Sequence, residues 1–263
     1  MNPNLIAPQP NYSIYYILVY LIVILSLMSS YSFINYQPTC NHYVMNVYLY
    51  IALSFGIILF ISTLLETYAL PFVQSLLSNM SRFTFITYFI ITFGLTIYLA
   101  MKPLYYTDKT ATIYYHLAWL LLIIVHSVIL STIIYISKVE NIHLIVFFQL
   151  MAIFITMSIL SYYFSSFFQN TASVVMPILM MSILLSIILN LLFYAMGLTN
   201  SKYAFLLNTI GICIFTVLIG YHTVELFEHA EQCKDYPNYP KDSLDLIYNL
   251  MNLFLKLVRY NRG

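Results

Sequence analysis

Two polar stripes near the end of the chain carry the residue types that could do chemistry. In GYHTVELFEHAE, His222, Glu225 and His229 recur at i, i+3 and i+7, which is one face of a helix. In KDSLDLIYNLMN, Asp242, Asp245, Asn249 and Asn252 recur at i, i+3, i+7 and i+10, again one face. Carboxylates and imidazoles so placed can exchange protons or attract a cation. If the two helices run antiparallel, their stripes satisfy each other across a bundle interior.

The remaining candidates are single residues in apolar stretches, namely His126, Asn190 and Asn208. Polar groups are costly inside a membrane helix, so each is a candidate site by default. For His126 the commoner role is a hydrogen-bonded bundle histidine. The run H-x-x-E-x-x-E-H, ending at Glu228 and His229, offers donors at metal-ligand spacing. Helix-borne metal sites draw ligands from several helices, and the other donors, His126 and His143, are isolated. No resident metal is therefore expected, and no cofactor. No G-x-S-x-G, P-loop, G-x-G-x-x-G or H-E-x-x-H run is present. No catalytic residue is assigned, and an enzyme is not expected.

The elements that must position these residues are membrane helices. Of 263 residues, 62% are hydrophobic and 7% charged, against about 25% charged in a soluble domain. The composition predicts an all-α polytopic membrane protein. A net charge of +1 leaves no basic face for nucleic acid, and the lipid bilayer is the first expected partner.

Eight apolar segments emerge: Ser13–Ile34, Met45–Leu65, Phe83–Met101, Ala111–Ile136, Ile142–Phe164, Ala172–Met196, Tyr203–Phe227 and Ser243–Arg259. The linker at Leu65–Arg82 has room for a short interfacial helix. Pro177 is expected in the first turns of the sixth segment, where a missing donor is tolerated. The last segment is short for a full crossing, so it either spans or is re-entrant.

With eight crossings, Arg82, Lys138, Lys202, Lys256, Arg259 and Arg262 gather on one side. Lys102, Lys109, Lys234 and Lys241 gather on the other. This bias favours both termini in the cytosol. The sequons at Asn11 and Asn79 would then be unused. Three cysteines cannot all pair within one chain. Cys213 reads as a small apolar residue, and the odds are against a bridge between Cys40 and Cys233.

The tail resembles the transmembrane Bax inhibitor motif family, which includes the Golgi anti-apoptotic and lifeguard proteins. That family has Tyr-Asp-Thr at the end of its penultimate helix. Its last helix carries Leu-Tyr-Leu-Asp-x-x-Asn-Leu-Phe, followed by Leu-Leu-Arg. Here Tyr221-His222-Thr223 is followed by Leu246-Ile247-Tyr248-Asn249-Leu250-Met251-Asn252-Leu253-Phe254, and then Leu257-Val258-Arg259. The resemblance implies a seven-helix bundle over residues 45–263. Residues 1–12 are then a polar tail, and 13–44 an extra N-terminal helix and loop.

The resemblance also implies an endoplasmic reticulum or Golgi protein that modulates calcium leak and cell death. Calcium ions and cell-death regulators would be its partners. In the family two Asp residues form a pH-sensitive pair on that leak path. Here His222 and Asn249 stand at those positions, so the pair cannot operate in the same form. The acidic pair is instead expected one turn outward, at Glu225 and Asp245, with His222 as its titratable neighbour. Arg259 is expected to be a structural or lipid-facing anchor. The alternative is a structural or virion-type membrane protein that kept the fold without conducting ions, and a membrane metalloenzyme is a distant third.

Overall fold

The computed structural model describes residues 12–34, 37–79, 82–101, 109–195, 201–233 and 237–262. Among them nine helices carry nearly all of the chain: α1 (Tyr12–Tyr31), α2 (Tyr43–Tyr68), α3 (Leu70–Asn79), α4 (Arg82–Met101), α5 (Lys109–Val139), α6 (His143–Tyr163), α7 (Ser165–Ala195), α8 (Ser201–Gln232) and α9 (Tyr239–Arg262). The protein is an all-α polytopic membrane protein. Among the described residues, six stretches are long and apolar enough to cross a bilayer. They lie in α1, α2, α5, α6, α7 and α8, while α4 contributes the shorter apolar stretch Ile86–Ala100. The linker helix appears as α3. Asn11 lies outside the described residues.

Two boundaries differ from the sequence reading. α7 starts at Ser165, directly after the Phe164 N–H closes α6 on the Leu160 carbonyl at 2.8 Å. Pro177 is therefore well inside a helix rather than in its first turns. Membrane helices tolerate such a proline because neighbours re-satisfy the freed carbonyl. α9 begins four residues earlier and ends three later than its apolar core suggests. Its 24 residues span about 36 Å at the helical rise of 1.5 Å, so length alone no longer argues against a crossing.

The chain divides into two compact units. The first comprises Met1–Tyr135 with Lys234–Lys241. In it α1 packs on α2 at Gly56, where an added Cβ would lie 2.5 Å from Leu21 Cδ2 and 2.8 Å from the Tyr20 ring. A two-stranded hairpin pairs Phe33 with Pro38 and Ile34 with Gln37. Beside it, fully buried Asn46 of α2 accepts from Ser32 Oγ at 2.9 Å. Its amide donates to the Asn41 carbonyl at 3.0 Å and to Tyr239 Oη at 3.0 Å. Tyr239 packs edge-on to Tyr43, with ring centroids 5.2 Å apart. One buried asparagine thus fastens the first residue of α9 to the first turn of α2, an arrangement the sequence reading did not single out.

The second unit comprises Ile136–Cys233 and Asp242–Gly263. α8 packs against both α6 and α7. Gly220 permits this approach, because an added Cβ would lie 2.7 Å from Phe168 Cε1 and 2.8 Å from Met157 Cε. The Ser161 hydroxyl donates to the Gly220 carbonyl at 2.9 Å. Small residues and interhelical hydrogen bonds are the usual means of such packing where lipid removes the hydrophobic drive. Asn141, in the left-handed region at φ 58°, turns the chain from α5 into α6, a conformation asparagine accepts at low cost.

Cys40 and Cys233 are both disulfide-bonded, and Cys213 is free and exposed. This is the outcome the odds had been set against. Sequence separation carries no information about which thiols the fold brings to bonding distance.

Candidate functional site

The signature triplet in α8 divides its labour. Tyr221 turns toward α7, donating or accepting a 2.8 Å hydrogen bond with Thr171 Oγ1 and packing edge-on to Phe168. Thr223 is fully buried and donates to the Ile219 carbonyl at 2.7 Å. His222, between them, faces the other way. Its Nδ1 lies 3.2 Å from Glu225 Oε2, one turn on.

Glu225 is itself shared. Its Oε1 lies 3.9 Å from Nε2 of His229, the next residue along the stripe. His229 Nδ1 is 3.0 Å from Asp242 Oδ2 in the first turn of α9. The result is a chain of alternating imidazoles and carboxylates, His222–Glu225–His229–Asp242. It runs from half-exposed at Glu225 to buried at Asp242, whose side chain is 6% exposed. The Nδ1 contact with Asp242 orients the His229 ring, while Nε2 stands 3.9 Å from Glu225, an ion-pair distance beyond hydrogen-bond reach.

His222, Glu225, Leu226, His229, Asp242 and Asp245 enclose a cavity of about 10 Å³. That is room for about one water molecule. Glu225 and Asp245, the expected acidic pair, both line it. The sequence reading had Asp242 and His229 on the two stripes but not among the favoured residues. They form a 3.0 Å contact from α8 to α9.

Asn249 does not line this cavity. It is buried at 7% exposure, and its Nδ2 has no hydrogen-bond partner among the described residues. A carboxylate there would have no such orphaned donor. Asn252 donates to the Tyr248 carbonyl of its own helix at 2.9 Å. Asn208 is buried in α8. His126 is buried in α5, with Nδ1 2.8 Å from the Leu122 carbonyl and its ring edge-on to Tyr88. The side chain of Asn190 lies outside the described residues. Arg259 is exposed near the end of α9. Three residues on, Arg262 pairs with Glu140 at 2.8 Å. Among the described residues, no group of three His, Cys, Asp or Glu side chains is arranged to hold a metal ion.

An all-helical membrane protein that gathers its ionisable residues on its last two helices is the class this fold and cluster define. The chain belongs to the family described as Inhibitor of apoptosis-promoting Bax1, which matches residues 40–261. α1 precedes the matched residues. No curated protein and no solved structure matches the chain.

Proposed function

We propose that the protein is a non-enzymatic endomembrane protein that modulates calcium leak and thereby cell death. In this reading the pH-sensing site has moved one turn outward, from His222 and Asn249 to the Glu225–Asp245 level. The observation that carries the proposal is the cavity where three carboxylates and two imidazoles meet, in a chain of this family. Calcium prefers oxygen ligands; Glu225, Asp242 and Asp245 are not arranged to hold an ion, and in this reading their charge attracts one in passage. With both imidazoles neutral the five groups sum to about −3, and with both protonated to about −1. A cation is therefore favoured when the imidazoles are neutral. The cavity, with room for one water, corresponds to a closed state. Cell-death regulators are the proposed partners. Both termini are proposed to face the cytosol, leaving the α8–α9 connection on the other side of the membrane.

Calcium flux in proteoliposomes between pH 5.5 and 8 tests this reading. Wild type is expected to leak more at high pH, and Glu225→Gln and Asp245→Asn to flatten the profile. The double substitution His222→Asp with Asn249→Asp restores the family's carboxyls and is expected to restore a leak at the inner level. A flux equal to that of empty liposomes in every variant would falsify the proposal. It would favour a second reading, a structural membrane protein that kept the fold without conducting. The histidine and asparagine at the family's acidic positions support that second reading.

A further inference from the structure

The polar stripe of α9 does not end at Asn252. Asp242, Asp245, Asn249, Asn252 and Lys256 recur at i, i+3, i+7, i+10 and i+14, all on one face. The stripe changes character along its length. Two carboxylates begin it, two amides follow, and then comes an ammonium, with Arg259 one turn beyond.

Two side-chain contacts tie this face to α8. Near the start of α9, Asp242 meets His229 at 3.0 Å. Further along, the stem of Lys256 lies across buried Gly211. A Cβ added at Gly211 would stand 2.8 Å from Lys256 Cε and 3.0 Å from its Cδ, so any side chain there would displace the stem. Gly211 precedes His229 by eighteen residues, which is five turns at about 3.6 residues each. It therefore shares the face of α8 that carries His222, Glu225 and His229. The two helices are antiparallel, and one seam carries the acidic cluster at one end and the ammonium at the other.

Lys256 is partly buried, and among the described residues no carboxylate pairs with it. Its backbone is fixed by its neighbours. Tyr260 stacks on Phe205 with ring centroids 4.9 Å apart, Asn261 donates to Gln149 Oε1 at 2.9 Å, and Arg262 pairs with Glu140 at 2.8 Å. An ionisable group without a counter-charge inside a membrane bundle is costly and marks an ion pathway.

We propose that Lys256 is a tethered cation in the seam, which restricts the passage of calcium at the end opposite the acidic cluster. This rests on the reading of the protein as a calcium leak. An ion drawn in by Glu225, Asp242 and Asp245 passes the neutral Asn249 and Asn252 and then meets a fixed positive charge. Coulomb repulsion is twice as large for a divalent ion as for a monovalent one, so Lys256 discriminates against calcium in favour of potassium.

The test compares calcium and potassium flux in proteoliposomes of phosphatidylcholine. Lys256→Met keeps the stem and removes the charge. It is expected to raise calcium flux about tenfold and potassium flux by less, while Lys256→Arg stays near wild type. In a Cys213→Ser background, Lys256→Cys is expected to leak like Lys256→Met. Aminoethyl methanethiosulfonate then restores an ammonium on a stem of similar length and is expected to return the flux to the wild-type level. The neutral methyl reagent is expected to leave it high. This reversal takes place on one folded protein, so lost packing does not produce it. Unchanged flux in Lys256→Met, with Glu225→Gln still flattening the pH profile, overturns the proposal and leaves the leak standing. An equal rise for both ions, or a rise in Lys256→Arg, means a loosened bundle and overturns it too. So does an effect seen only after anionic lipid is added, which assigns Lys256 to a headgroup. Flux no higher than that of empty liposomes in every protein, Lys256→Met included, removes the leak itself and this inference with it.

Discussion

His229 is the residue on which the ionisable cluster turns, because it reaches both the Glu225 carboxylate on its own helix and Asp242 on the next. Asp242 is nearly buried, so replacing it with Asn keeps the shape and removes the charged acceptor. A loss of about 1.5–3 kcal/mol is expected, the range for a hydrogen bond to a charged group, read from detergent melting curves. Glu225 is half-exposed, and Glu225→Ala should cost under about 1 kcal/mol by the same measurement. The sequence made the faces legible, since a period of 3.6 fixes which residues share a stripe. It did not reveal that His229 takes Asp242. Nor did it reveal the buried contact of Tyr239 with Asn46, nearly two hundred residues away. An asparagine in the first turn of an apolar helix was the available signal for that contact.

Among the helices, α8 is held most closely where it has least side chain. Gly220→Leu would drive a branched side chain into Phe168 and Met157. Overpacking of this kind costs about 1–3 kcal/mol, and a lower melting temperature is the expected readout. Ser161→Ala removes the hydrogen bond to the Gly220 carbonyl and should cost about 0.6 kcal/mol, typical between membrane helices. By contrast, Arg262→Gln breaks a partly exposed ion pair with Glu140 and should shift stability by under about 1 kcal/mol. Helix existence was legible because apolar runs of spanning length have few alternative structures. The α7 start was not. Ser165 to Thr171 looks like a polar loop, yet the helix propagates through it and carries Pro177 into its interior.

At the scale of the molecule, membership of a known family and an all-helical membrane fold were both legible, because the spacing from Tyr221 to Arg259 survives even where the chemistry has changed. The oxidation state of the cysteines was not, since pairing is decided by the folded chain and its surroundings. Disulfides persist where the cell does not reduce them. Cys233 is bonded and follows His229 by four residues, which fits the proposed orientation, in which this end of α8 faces a lumen or the exterior. In that proposed orientation the cluster around His229 is open to that compartment rather than to the cytosol. In vesicles of known orientation, acidifying the face that carries Cys233 is expected to alter calcium flux, while the same change on the opposite face leaves it untouched. On that proposal the cluster reads the acidity of a stored or secreted fluid, which would make organelle filling, rather than cytosolic metabolism, the variable that sets the leak.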